Sequence, residues 1–185
     1  QEAEWPDTYC PDDPRSYELL FDVLDEYLEV MKPRMVHIGH DEWRMPTGQD
    51  PRCQGRDIRE QFVEDIQKIH GYLARKGVGT ALWGDHFLEN LRGKHLKRQT
   101  SRTGYVYDMP GAITPEQVQR DIPKDIVVLN WFWNEKHGRT SGEATPTAGE
   151  INDEQLAKWG FRQVWGNLTP ELGWQNYAAR SARTG

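Results

Sequence analysis

The sequence predicts an α/β domain built on parallel strands, and three observations support this prediction. Apolar stripes of helical period alternate along the chain with short runs that have the composition of strands. The run at 126–133 is almost continuously apolar, which is typical of a strand buried in a parallel sheet. The chain shows no internal repeat and no evident linker. Residues 1–185 are therefore expected to form βα units of a single domain.

Charge and composition exclude two classes of partner. The net charge of −6 and the pI near 5.5 argue against a nucleic-acid surface, which needs clustered Lys and Arg to neutralise phosphates. No apolar run approaches the roughly 20 residues that cross a bilayer, so no membrane segment is expected. Cys10 and Cys53 form neither a disulfide framework nor a Cys-x-x-Cys pair, which leaves the redox compartment open.

The first helix leads directly into a strand that ends in two carboxylates. Asp13 and Pro14 form an N-cap and first-turn pair, and an apolar stripe follows until Lys32. The strand begins at Met35 and runs into Asp41-Glu42-Trp43. Strand alternation predicts that Val36 and Ile38 share one face and that His37, Gly39 and Asp41 share the other. In parallel α/β folds this end of a strand carries the site.

The middle of the chain continues the alternation. A long loop is predicted over 44–56, followed by a helix that Asp57 caps and Gly77 ends. Further predicted elements are a strand at 79–85, a solvated segment at 92–104, a short strand at 105–109 and a helix from 115 to about 121, opened by a Thr114 capping box.

The last third of the chain repeats the same order. The strand at 126–133 is followed by a loop over 134–150. Asn152 is expected to cap a short helix that Gly160 ends, and 161–167 reads as the last strand.

The spacing His37-x-Gly39-x-Asp41-Glu42 resembles the signature of family 20 glycoside hydrolases, the β-N-acetylhexosaminidases. The resemblance implies a (β/α)8 barrel in which this stretch is the fourth strand. Many members have a second glycine where this chain has His40. Because a complete barrel needs about 250 residues, the prediction is a partial (β/α)8 barrel, roughly strands 4 to 7 with their helices and incomplete at both ends.

The resemblance assigns roles to the two carboxylates. Glu42 is expected to be the general acid, and Asp41 is expected to orient the 2-acetamido group of the substrate, whose carbonyl oxygen attacks the anomeric carbon. This substrate-assisted route needs no enzyme nucleophile. Independently of the family, like charge and burial favour keeping one of two neighbouring carboxylates protonated, as a proton donor requires.

The expected ligand is an N-acetylated amino sugar in an oligosaccharide or glycoconjugate, and no cofactor or metal is expected. Eight tryptophans suit sugar recognition, since indole rings can cover the apolar faces of a pyranose. Family members commonly use tyrosine and aspartate where this chain ends its last strand with Trp165 and Asn167. The family's strand-1 arginine and its Trp/Glu segment near strand 8 have no counterpart here. The candidate substrate-binding residues are His37, Trp83, Asp85, Trp131, Trp133, Trp165 and Asn167.

Three functions remain open on these residues. The first is a retaining hydrolase that removes terminal β-linked N-acetylhexosamine, and the second is a non-catalytic carbohydrate-binding relative. The third is a metal-dependent hydrolase, which strand alternation disfavours because His37 and His40 point to opposite faces. Its candidate ligands are His37, His40, Asp41, Asp85 and His86. The 185 residues alone are expected to be inactive, and the compartment stays open, with a secreted or periplasmic location compatible.

Overall fold

The computed structural model describes residues 9–46, 51–53, 55–100, 104, 106–130, 148–166 and 181–182. Five α-helices lie in these ranges: α1 (Pro14–Met31), α2 (Ile58–Arg75), α3 (Glu89–Arg92), α4 (Pro115–Asp121) and α5 (Ala148–Lys158). Short 3₁₀ turns occur at Pro51–Cys53 and Asp85–Phe87. No helix in the described ranges is both long enough and apolar enough to cross a membrane.

Seven strands in the described ranges form two sheets. The strands are β1 (Met35–His37), β2 (Met45–Pro46), β3 (Gly79–Trp83), β4 (Lys97–Thr100), β5 (Val106–Met109), β6 (Val127–Asn130) and β7 (Arg162–Trp165). The main sheet has the order β1-β3-β6-β7, and all its neighbours are parallel. A small antiparallel sheet has the order β2-β5-β4. The parallel sheet confirms the α/β prediction.

Local sequence signals place the two long helices where they were predicted. The Asp13 side chain caps α1 by accepting a hydrogen bond from the Arg15 amide at 3.1 Å, and Lys32 ends the helix at φ 47°. The Asp57 side chain caps α2 by accepting from the Arg59 amide at 2.8 Å. A carboxylate at the N-cap satisfies an amide that has no partner within the helix, which is why both starts could be predicted.

The two faces of the main sheet have different surroundings. On the helix-facing side, Thr80 and Leu82 of β3 are fully buried, and Val36 of β1 packs against a cluster centred on Tyr17, Ile69 and Leu73. On the other side, Met35 and His37 of β1 are exposed. The core therefore lies between the strands and the helices.

Two elements in the second half differ from the prediction. Residues 97–100 are solvated as expected but form a strand, because the following strand β5 supplies backbone partners. Helix α5 begins at Ala148, so Asn152 lies inside the helix instead of capping it. Asn152 is buried, and its side-chain oxygen accepts a hydrogen bond from Asn90 at 2.6 Å. Asn152 is thus bound by a residue distant in sequence and is not the N-cap that the local sequence suggested.

A disulfide joins Cys10 to Cys53, two residues 43 positions apart with Cα atoms separated by 5.9 Å. It ties the segment before α1 to the turn before α2. No spacing motif points to this pair, since the two halves of the bond come from segments that only the folded chain brings together.

Candidate active site

The chain leaves β1 through an unusual backbone path. Gly39, His40 and Glu42 have φ values of 79°, 70° and 43°. Glycine adopts such left-handed values freely, whereas a residue with a Cβ atom is strained there by about 1–2 kcal/mol. Strained backbone persists only where its surroundings fix it, and it concentrates at functional sites. The segment that carries both candidate carboxylates is therefore held by other parts of the fold.

One of these holding contacts is made by the His40 side chain. Its Nε2 lies 2.8 Å from Oδ2 of Asp65, and its Nδ1 lies 2.9 Å from the Ile38 carbonyl oxygen. The two ring nitrogens thus link the loop to its own strand and to helix α2. His40 and Asp65 are both buried. The side chain of His40 therefore anchors the loop to the Ile38 carbonyl and to Asp65 of α2.

Asp65 also receives two phenol groups. The Tyr17 hydroxyl donates to Oδ1 at 2.5 Å, and the Tyr9 hydroxyl lies 2.9 Å and 3.0 Å from the two carboxylate oxygens. Burial, followed by the charge of Asp65, raises the pKa of Tyr9 and of Tyr17 well above the usual value. Both phenols thus stay protonated and donate to a carboxylate that solvent does not reach.

The end of β3 makes the second set of holding contacts. The Glu42 amide donates to Oδ2 of Asp85 at 3.1 Å, and the Trp43 amide donates to Nε2 of His86 at 2.9 Å. Two consecutive side chains that follow β3 therefore hold two consecutive backbone amides that follow β1. Arg92 donates from Nε to the same Asp85 oxygen at 2.6 Å.

Burial shifts the pKa values of these two side chains in opposite directions. Burial lowers the pKa of His86 to about 3, with Arg92 acting in the same direction. The imidazole is therefore neutral, and its Nε2 is free of hydrogen and can accept from Trp43. Burial raises the pKa of Asp85, while the charge of Arg92 and the Glu42 amide oppose that shift.

The Glu42 carboxylate lies at the surface of this framework. Its side chain is 35% exposed, Nη2 of Arg44 lies 2.6 Å from Oε2, and Nη2 of Arg92 lies 3.4 Å from Oε1. Asp41 is exposed. The described residues thus present the carboxylate pair at an open face, which differs from the desolvated pocket that the sequence suggested.

An aromatic pair lies on that face beside the carboxylates. The rings of His37 and Trp83 meet edge to face, with centroids 4.9 Å apart and planes at 66°. Nδ1 of His37 accepts a hydrogen bond from the Gly39 amide at 3.1 Å. Partial burial lowers the pKa of His37, and the Asp41 carboxylate opposes this shift. His37 therefore contacts the tryptophan and its own loop, and Trp83 presents an apolar ring to the open side.

The other candidate site residues have different positions. Asp85 is 1% exposed and reaches Glu42 through the backbone amide rather than through open space. Trp165 is paired with Asn130 and lies on the same side of β7 as Gln163, whose amide donates to the Asp153 carbonyl of α5. That side faces the helices. Trp131, Trp133 and Asn167 lie outside the described residues.

Sequence reasoning missed Asp65, Arg44, Arg92 and the acceptor role of His86. A signal existed for Asp65, because it interrupts the apolar face of α2 between Phe62 and Ile69. A carboxylate in such a position is buried and needs partners.

The described residues contain no group of three or more His, Cys, Asp or Glu side chains placed to hold a metal ion. His40 uses both ring nitrogens inside the protein, which removes it from the candidate ligand set.

The parallel sheet and its helices define an α/β domain with two acidic residues beyond the end of β1. The sequence model for glycosyl hydrolase family 20, catalytic domain, matches residues 1–126. This match covers more than half of the chain, and the chain belongs to that family. The family that the His37-to-Glu42 spacing suggested is thereby confirmed.

Two solved structures are similar to the chain. Dispersin B has a TM-score of 0.50 at 18% identity, covering 98% of this chain and 45% of that one. The GH20 β-N-acetylhexosaminidase from Streptomyces coelicolor A3(2) has a TM-score of 0.45 at 16% identity, covering 85% of this chain and 22% of that one. The chain thus spans less than half the length of either. The fold is part of a (β/α)8 barrel, as predicted. No curated protein sequence matches significantly.

Proposed function

We propose that the protein is a retaining glycoside hydrolase that removes terminal β-linked N-acetylhexosamine with the help of the substrate's own acetamide group. The observation that carries this proposal is the fixed carboxylate pair after β1 in a chain of family 20. The Glu42 and Trp43 amides are held by Asp85 and His86, while both carboxylates stay on the open face. This arrangement places acidic groups where a sugar can approach.

Glu42 is the proposed general acid. The acetamide carbonyl oxygen of the sugar forms a bond to the anomeric carbon while the glycosidic bond breaks, and the proton of Glu42 passes to the departing oxygen. Glu42 must carry the proton at this point, so its ion pair with Arg44 has to open when the sugar binds. Water then attacks the anomeric carbon, gives a proton back to Glu42 and opens the oxazolinium ring. The configuration is retained.

Asp41 is proposed to orient the acetamide. Its carboxylate can accept the amide N–H of the substrate, which directs the carbonyl oxygen toward the anomeric carbon and stabilises the positive charge of the oxazolinium ring. The exposed side chain of Asp41 is available for this contact. The Trp83 ring offers an apolar surface for the sugar beside it.

The test is hydrolysis of a β-linked N-acetylglucosamine disaccharide and of its galacto epimer by the full-length protein, because a departing sugar oxygen needs the proton of Glu42. Glu42→Gln and Asp41→Asn should each lower kcat by about 10² to 10⁴-fold, the range for a general acid. Glu89→Gln is the matched control, since Glu89 is an exposed carboxylate whose ion pair is with Lys94. A folded wild-type protein that binds N-acetylated sugars without releasing product would instead identify a carbohydrate-binding relative.

A further inference from the structure

The position that follows Gly39 has an unusual combination of features. His40 is left-handed at φ 70°, although it has a side chain, and that side chain is buried on the helix side of β1. The next residue, Asp41, is exposed on the open side. The direction in which the carboxylate pair leaves the strand therefore depends on the backbone at residue 40.

The partner of His40 belongs to a long helix with a buried face. Asp65 is in the middle of the 18-residue helix α2, between the fully buried Phe62 and Ile66. The Phe62 ring also contacts the His40 ring and the Trp43 ring, with centroids 5.5 Å and 5.4 Å away. A helix packed along its length is a fixed reference against which a loop can be positioned.

We propose that His40 and Asp65 are positioning residues, which hold residue 40 in its left-handed conformation and thereby aim Asp41 and Glu42. The inference rests on the proposed function, because positioning matters only if those carboxylates act. Neither His40 nor Asp65 touches the substrate in this proposal. Asp65 keeps its place through the Tyr9 and Tyr17 hydroxyls, which fill its remaining acceptor sites.

The pair complements the contacts from β3. Asp85 and His86 hold the amides of residues 42 and 43, which lie after the bend, whereas Asp65 holds residue 40, which lies before Asp41. Asp41 is thus the one residue of this segment between two fixed points. If either set of contacts is removed, the backbone of Asp41 should be held on one side only.

The experiment compares His40→Ala with His40→Gly in the full-length protein. Both substitutions delete the contact with Asp65, but only glycine adopts φ 70° without strain. The alanine variant should therefore lose about tenfold more kcat than the glycine variant, with KM nearly unchanged in both. A side chain that merely fills the core would give the opposite order or equal losses, since glycine packs no better than alanine.

A second readout uses the leaving group of the substrate. A misplaced general acid harms a disaccharide, whose departing oxygen needs the proton, more than a nitrophenyl glycoside, whose departing oxygen does not. His40→Ala and Asp65→Asn should each lower the disaccharide rate at least about fivefold more than the nitrophenyl rate. Loss of folded protein lowers both rates equally, so this ratio stays informative even for unstable variants.

Tyr27→Phe serves as a control, because Tyr27 is an exposed side chain on α1 away from this network. Equal kcat losses in the alanine and glycine variants, or equal losses on both substrates, would overturn the inference while leaving the proposed function intact. A wild-type protein that hydrolyses neither substrate would overturn the proposed function, and the inference with it.

Discussion

The ends of β1 and β3 lie side by side, and they are built in opposite ways. After β1 the backbone bends through left-handed residues, and Asp41 reaches the surface. After β3 the chain enters a 3₁₀ turn at once, and Asp85 and His86 are almost completely buried. One strand end presents acidic groups, and its neighbour holds the backbone from which they project.

The two ends look alike in sequence. Each strand ends in an aromatic ring, His37 or Trp83, and has an aspartate within the next four positions, Asp41 or Asp85. Strand alternation alone assigned both aspartates to the pocket. The difference arises from Arg92 and the Glu42 amide, which together surround the Asp85 carboxylate. An acidic residue at a strand end can therefore hold the backbone of the neighbouring strand end.

The kinetics of Asp85→Asn test whether the end of β3 holds the backbone or binds the sugar. If Asp85 holds the Glu42 amide, the variant should lower kcat about hundredfold, the effect of a displacement near 1 Å, and leave KM nearly unchanged. Steady-state kinetics on the disaccharide substrate measure both, because its departing oxygen needs the proton of Glu42. A large rise in KM at constant kcat would mean that Asp85 binds the sugar, as the sequence suggested. Asp108→Asn is a suitable control, because Asp108 pairs with Arg98 in the small sheet.

Substitution of Trp83 tests whether the open face of the sheet binds the sugar. Trp83→Ala should raise KM about tenfold with a smaller change in kcat, since the ring supplies an apolar surface rather than a reacting group. Trp83→Phe should recover part of the loss. Binding of N-acetylglucosamine, followed by calorimetry, checks the same point without turnover. Unchanged affinity in the alanine variant would remove Trp83 from the sugar site.

A third expected effect concerns the pH dependence of the free energy of unfolding. His86 has its pKa lowered to about 3, so the folded protein does not take up a proton that the unfolded chain binds below about pH 6.5. Its contribution is therefore complete above pH 6.5 and is lost as the pH falls toward 3. The slope is about 1.4 kcal/mol per pH unit.

Urea unfolding at several pH values between 4 and 7 measures that slope. His86→Gln keeps an acceptor for the Trp43 amide and should remove the contribution of one proton. His95→Gln, at an exposed histidine, should leave the slope as it is. Equal slopes of unfolding free energy against pH in His86→Gln and His95→Gln would contradict this role of His86.

Local signals predicted much of the fold. Asp13 and Asp57 fixed the helix starts because an N-cap depends only on neighbouring residues. Thr114 and Gln117 form the predicted capping box for the same reason. Asn152 was wrongly expected to be a cap because its partner, Asn90, lies 62 residues away.

The site was predictable only in part. The carboxylates of Asp41 and Glu42 stood out through their spacing, which the family comparison supports. The residues that hold them did not, because each contact spans between 25 and 43 positions and has no local pattern. Asp65 was detectable as a break in an apolar stripe, but no local pattern linked it to His40.

The bond between Cys10 and Cys53 has a consequence for the denatured protein. It closes a ring of chain that contains α1, β1 and the acid segment, so the unfolded ensemble is restricted over the whole of that stretch. By the loop-entropy estimate the restriction contributes about 4 kcal/mol to the free energy of unfolding. Such bonds persist in oxidising surroundings and are reduced in the cytosol. A thiol reductant in a purification buffer would thus lower the melting temperature while leaving every residue of the site in place.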